Sequence, residues 1–164
     1  MTSTPLPPLP IALPIEALNS QVGPEVIDLN GHMGALHYVD LFQKALPPLF
    51  RPLGFGPAYR ARGLTIFQRE AHIVYERELK LGDPVVIRSW LLGFDLKRFY
   101  HYHEMRKGGE GALVATIEYV STSVSLETRR SAAFPADVIE RLDKLADGFS
   151  VIERPVGAGR LLRG

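Results

Sequence analysis

One segment limits the architecture more than any other. Gly34 to Leu46 reads as a helix whose apolar residues cover most of its girth. Ala35, Val39, Phe42 and Leu46 form one stripe, Leu36, Tyr38 and Leu41 widen it, and only His37, Asp40, Gln43 and Lys44 are polar. A helix of that kind is enclosed by other structure, not laid on a surface. Pro47 and Pro48 are expected to end it. Four segments of β composition follow: Leu64 to Leu79, Pro84 to Phe94, Lys97 to Arg106 and Ala112 to Ser125. Gly82-Asp83, Gly93-Phe94-Asp95 and Gly108-Gly109 separate them, connections short enough to imply antiparallel hairpins and a four-stranded meander. Ser20 to Asp28 supplies a first strand with a break at Gly23-Pro24, and Gly54 to Gly63 a loop or short helix. Pro135 to Ala146 reads as a terminal helix with Val138, Ile139, Leu142 and Leu145 on one face. An α+β fold, with an antiparallel five-stranded sheet wrapped around one long central helix, buries all of these faces.

The chain has 164 residues, enough for one domain that buries roughly 70% of its unfolded surface. Residues 1–15 read as a flexible proline-rich arm, 16–153 as the working domain and 154–164 as a loose tail rich in glycine and arginine. A balance of 19 Lys plus Arg against 18 Asp plus Glu argues against nucleic acid as a partner. With no cysteine, disulfides, thiolate metal sites and a cysteine nucleophile are excluded. No apolar run approaches the ~20 residues that span a bilayer. The proline-broken N-terminus lacks the basic residues of a signal peptide, so a cytoplasmic protein is expected, with no membrane partner.

The segment that stands out chemically is Asp28-Leu29-Asn30-Gly31-His32-Met33-Gly34-Ala35-Leu36-His37-Tyr38, a carboxylate on a turn leading into the start of the helix. Here the sequence resembles the hotdog-fold acyl-CoA thioesterases of the 4-hydroxybenzoyl-CoA thioesterase type. Their helix likewise follows Asp-x-Asn-Gly-His-Met-Asn and is followed by a Tyr. The resemblance continues through Glu70 to Tyr75, Leu81-Gly82-Asp83, His103-Glu104-Met105, Ala115 to Glu118 and Thr128-Arg129-Arg130, up to Phe134-Pro135. These later segments are most similar to the betainyl-CoA thioesterase branch. The resemblance implies a hotdog fold, thioester hydrolysis without a cofactor beyond the substrate's own coenzyme A, and a homodimer or homotetramer with sites at subunit boundaries. One position departs from it, because Gly34 stands where that branch usually has Asn.

Chemistry supports the same reaction. A thioester has an electrophilic carbonyl and a good leaving group, so an attacking group and a place for the oxyanion suffice. The N–H groups of Gly34, Ala35 and Leu36, at the positive end of the helix dipole, are candidates to hold the oxyanion. Asp28 would attack the carbonyl or activate water. Taken alone, an Asp before a helix is a cap. Asp28 stands too far ahead of Gly34 for a simple cap, and the resemblance implies a catalytic carboxylate at this position.

Glu70 is a second candidate, on a strand face expected to carry Gln68 and His72 as well, either aimed at the thioester to position water or merely solvated. His32 is a candidate to bond across the turn or to hold the loop against a second subunit. Tyr38 would line the acyl pocket or simply fill the core. Arg129 and Arg130 are candidates for the phosphates of coenzyme A, in competition with Lys97, Arg98 and Arg88. His101 and His103 share a strand face, but no third ligand is identifiable, so no metal site is expected. Tyr38, Phe42, Phe67, Tyr75, Trp90, Tyr100 and Tyr102 offer rings enough to enclose a quaternary ammonium or an aryl group. Two other functions compete. Asp28, Asn30 and His32 loosely match the Asp-x-Asn-Pro-x-His signature of hotdog enoyl-CoA hydratases, without its Pro and with the His one position too close. A non-catalytic acyl-CoA-binding protein would use the same helix start only to hold ligand.

Overall fold

The computed structural model describes Leu9 and residues 12–162. Of the proline-rich arm, residues 1–8, 10 and 11 lie outside the described residues, while Leu9 and Leu13 pack against the core and Ile15 opens the first strand. Strand β1 (Ile15–Gln21) is followed by a short 3-10 turn at Pro24–Val26 and helix α1 (Ala35–Lys44). Short helices α2 (Pro47–Phe50) and α3 (Pro57–Ala61) come next. Strands β2 (Leu64–Tyr75), β3 (Pro84–Phe94), β4 (Arg98–Lys107) and β5 (Leu113–Ser125) precede helix α4 (Ala136–Ser150).

All five strands form one antiparallel sheet in the order β1-β3-β4-β5-β2. This corrects the expected meander, because only β3, β4 and β5 are neighbours in sequence order. The strand β2 ends at Tyr75 and not at Leu79, so its connection to β3 is longer than the composition suggested and crosses to the far side of the sheet. Two bonds pin that crossing to the start of α1: Leu79 N–H donates to the Tyr38 hydroxyl at 3.0 Å, and Met33 N–H donates to Leu79 O at 2.8 Å.

The first strand also lies earlier than expected. Gly23-Pro24 opens a turn, and Val26 and Ile27 lead into a small loop closed by a bridge between Ile27 and Met33. Helix α1 is shorter than its apolar span suggested. Tyr38 and Phe42 are buried against the sheet, whereas Ala35, Leu36, Asp40, Gln43 and Lys44 are exposed. Pro47 and Pro48 end α1 by starting α2, since proline suits the first turn of a helix. The sheet thus packs on one side of α1 and leaves the other open.

The inner face of the sheet carries a buried polar chain. The Ser89 hydroxyl meets His103 Nδ1 at 2.6 Å, His103 Nε2 meets His101 Nδ1 at 2.7 Å, and His101 Nε2 meets the Ser121 hydroxyl at 2.7 Å. Every ring nitrogen is engaged, so neither imidazole keeps a lone pair for a metal. Two neutral rings, each donating through one nitrogen and accepting through the other, satisfy every contact in the chain.

On the opposite face, the segment expected to be a loose tail is tied down. Gly159, Arg160 and Leu161 donate three successive backbone N–H groups to the buried Glu118 carboxylate at 2.9, 3.0 and 2.7 Å. Arg154 adds a bond to Leu92 O, and Leu161 and Leu162 pack against the core. Composition suggested fraying because the anchor lies in a distant strand.

Candidate active site

The loop ahead of α1 is built by its own backbone. Asp28 N–H donates to His32 O at 2.9 Å, Gly31 N–H to Asp28 O at 3.0 Å, and Gly31 adopts φ 80°, a conformation that favours glycine. Asp28 Oδ1 accepts Asn30 N–H at 2.8 Å, which makes a local Asx turn. The carboxylate therefore caps its own turn and not the helix. Its other oxygen has no partner among the described residues. His32 Nε2 lies 2.8 Å from Glu78 Oε2, which clamps the loop to the β2–β3 connection of the same chain.

The helix start lies directly beside this acid. Gly34 is the N-cap residue of α1, and a Cβ placed there would lie 3.9 Å from Asp28 Cβ. Of the three amides expected to be free, Gly34 N–H is spent on Val26 O at 3.0 Å. The N–H groups of Ala35 and Leu36 have no acceptor among the described residues. Gly34 has no side chain to cap them, and a capping side chain would consume a donor in this first turn. Two aligned donors at the positive helix end, with a carboxylate alongside, form a site for an oxyanion and its attacking group. Asp28, Ala35 and Leu36 are exposed in the single chain, and so is Leu29. The site is a shoulder with apolar flanks rather than a closed cleft.

Other candidates are placed differently. Tyr38 is buried, and its hydroxyl accepts from Leu79 N–H and lies 3.4 Å from Arg77 O, so it anchors α1 to the β2–β3 connection. Burial raises its pKa above the ordinary tyrosine value. Glu70 is on the wrong face. The pairing of β2 with β5 slips between Gln68 and Glu70, so that Arg69 is an extra residue in β2. Gln68 points toward α1, where it lies 3.5 Å from Gln43 Nε2, while Glu70 and His72 occupy the outer face. Glu70 there lines a cavity of about 530 Å³ with Arg69, Arg98 and Thr122. Strict alternation predicted a single face for Gln68, Glu70 and His72, and the bulge separates them.

Arg129 and Arg130 follow β5, with the Arg129 guanidinium 5.6 Å from the Phe67 ring centre. Phe67 is near the opposite end of β2 from Tyr75, roughly 26 Å away at about 3.3 Å per residue. Tyr75 packs edge-on against Tyr38 at 5.4 Å, beside the start of α1. Within one chain, then, the arginines do not reach Asp28. The rings considered for an enclosure are divided as well. Phe42 is sealed in the core, and Trp90, Tyr100 and Tyr102 are buried elsewhere in the sheet, leaving Tyr75 as the exposed ring near the helix start.

Comparison with known proteins gives the family. Residues 22–142 match the model of the thioesterase-like superfamily, and the chain belongs to that family of thioester hydrolases. The betainyl-CoA thioesterase of Pseudomonas aeruginosa is 34% identical over 85% of this chain and 88% of its own length. A Rhizobium meliloti L-carnitine dehydrogenase/betainyl-CoA thioesterase is 30% identical over 90% of this chain, which spans 30% of that longer protein. Among solved structures, a putative thioesterase from Pseudomonas putida KT2440 aligns with TM-score 0.75 and 28% identity, covering 93% of this chain and 97% of that one. A Staphylococcus aureus protein in complex with CoA aligns with TM-score 0.76 and 26% identity, covering 89% and 92%. The hotdog expectation is met by these neighbours and by the five-stranded sheet on its helix.

Proposed function

We propose that this chain hydrolyses acyl-CoA thioesters to the free acid and CoA, with Asp28 as the attacking or water-activating carboxylate and the N–H groups of Ala35 and Leu36 as the oxyanion site. The observation that carries this reading is the pair of uncapped amides beside an acid with an unengaged oxygen. As the carbonyl carbon is attacked, its oxygen gains charge where two fixed donors already point. Such a donor contributes about 3 to 4 kcal/mol to a transition state. The reaction draws on no group beyond the chain, water and the substrate. CoA in the S. aureus neighbour and the betainyl-CoA relatives support an acyl-CoA substrate, and a cysteine-free, thiol-releasing enzyme suits the cytoplasm.

A second copy of the chain completes the site in this reading. The edge of β2 away from β5 is unpaired among the described residues, and an open edge this long is a template for another strand. Antiparallel pairing of two such edges brings the Phe67 end of one copy toward the Tyr75 end of the other. Arg129 and Arg130 of one copy then approach Asp28 of its neighbour, in reach of CoA phosphates. Sedimentation is expected to give at least twice the chain mass, and a monomer at assay concentration would remove this arrangement.

Thiol release from a panel of short, branched, aromatic and betaine acyl-CoAs tests the reaction. Wild type is expected to release thiol from at least one, and Asp28→Ala to bind that substrate without turning it over. Turnover of none of them would favour a binding protein, and water addition to crotonyl-CoA a hydratase.

A further inference from the structure

We propose that His37 is a further catalytic residue of this site, its imidazole holding the attacking water against Asp28. The inference rests on the thioesterase reading above and makes Asp28 a base rather than a nucleophile.

The starting point is the glycine at the helix cap. Gly34 has φ −64° and ψ 146°, a backbone conformation open to any residue, so the turn itself does not require glycine. What glycine provides is space. A Cβ at this position would meet His37 Cδ2 at 3.5 Å and Asp28 Cβ at 3.9 Å. The imidazole and the acid therefore flank one small gap, created by the missing side chain, at the mouth of the two uncapped amides.

His37 is also singular among the histidines. The chain has 5 of them. His32 contacts Glu78, His72 contacts Arg160, and His101 and His103 bond each other and two serines. The His37 ring alone has no partner among the described residues, although it is half-buried. A polar ring that no protein group engages, beside a carboxylate and two free donors, is left available to water at the site.

Water in the gap donates one O–H to Asp28 and the other to the unprotonated ring nitrogen of His37, which turns an oxygen lone pair toward the thioester carbon. The C–O bond forms, the carbonyl electron pair moves to the oxygen facing Ala35 and Leu36, and Asp28 takes the first proton. Collapse breaks the C–S bond, and the thiolate takes that proton. The products are the acid and the thiol.

The test is steady-state thiol release by wild type, D28N, H37A, H37Q and D28N/H37A on the best acyl-CoA of the panel. His37→Ala is expected to lower kcat about 30-fold with KM within twofold. His37→Gln, whose amide oxygen still accepts from water, is expected to recover most of that loss. The double variant should be no slower than D28N alone. An inactive D28N with a fully active H37A overturns the role of His37 and leaves the thioesterase reading intact. Equal losses in H37A and H37Q also overturn it, because the ring then serves packing. Equal rates for wild type and D28N would instead sink the reading beneath it.

Discussion

Glu118 and Asp28 are both carboxylates that lie close to backbone N–H groups, and the molecule treats them in opposite ways. Glu118 is sealed on the outer face, with three successive amides of the C-terminal segment donated to it. Asp28 is exposed, receives one amide from its own turn, and stands beside two amides that it does not take. The first arrangement is saturated and can only hold structure. The second keeps an acceptor oxygen and two donors unspent next to each other, at a cost in helix stability that an ordinary cap would have avoided. The contrast is what sets Asp28 apart from a purely structural acid and supports the catalytic role proposed for it.

Exchanging the two roles by mutation should break the contrast most clearly. Asp28→Asn is expected to lower kcat about 10³-fold, equivalent to roughly 4 kcal/mol of barrier, while the thermal midpoint stays within about 2 °C of wild type. A large drop in midpoint instead would class Asp28 with Glu118. Glu118→Ala should do the reverse. Three orphaned amides and a released segment are expected to cost about 3 kcal/mol of stability, roughly 10 °C in midpoint, with kcat of the folded enzyme nearly unchanged. Calorimetry and the thiol assay on the same samples measure both.

A smaller effect sharpens the comparison from a third polar group, the buried histidine pair. Burial holds His103 down to about 3, and burial with the neighbouring ring holds His101 well below the ordinary imidazole value. Both rings stay neutral in the fold, whereas in the unfolded chain they protonate as pH falls below about 6.5. The unfolded state then binds more protons, so stability declines with falling pH from about 6.5 toward 3, by at most about 1.4 kcal/mol per pH unit for each ring. Urea midpoints measured between pH 8 and pH 4 should show this slope, and replacing both histidines by glutamine should flatten it. A slope unchanged in that variant would assign the pH dependence to other groups.

Much of this was legible before any coordinates. The wide apolar stripe, the glycine-marked breaks and the loop from Asp28 to Gly34 place the central helix, four of the strands and the turn that carries Asp28 nearly where they stand. What failed did so for local reasons. Sequence places the first strand at Val22, Val26 and Ile27 because Ile15–Gln21 buries only Ile15 and Ala17 and, apart from Leu18, is polar elsewhere. The bulge at Arg69 moved Glu70 away from the helix, and nothing in a period-two pattern marks an extra residue. In sequence the Gly34 N–H reads as free, because its partner, Val26 O, is brought back only when the loop closes. In sequence His37 is one more polar residue on a helix, since the gap it borders exists only in three dimensions.

In the proposed reaction Ala35 and Leu36 hold the oxyanion beside Asp28. Amide NMR of the protein titrated with a ketone analogue of its acyl-CoA substrate, in which methylene replaces the thioester sulfur, tests it most directly. The amide protons of Ala35 and Leu36 are expected to move strongly downfield while that of Gly34, already bonded to Val26, moves little. Saturated binding that leaves both amides where they were would contradict it.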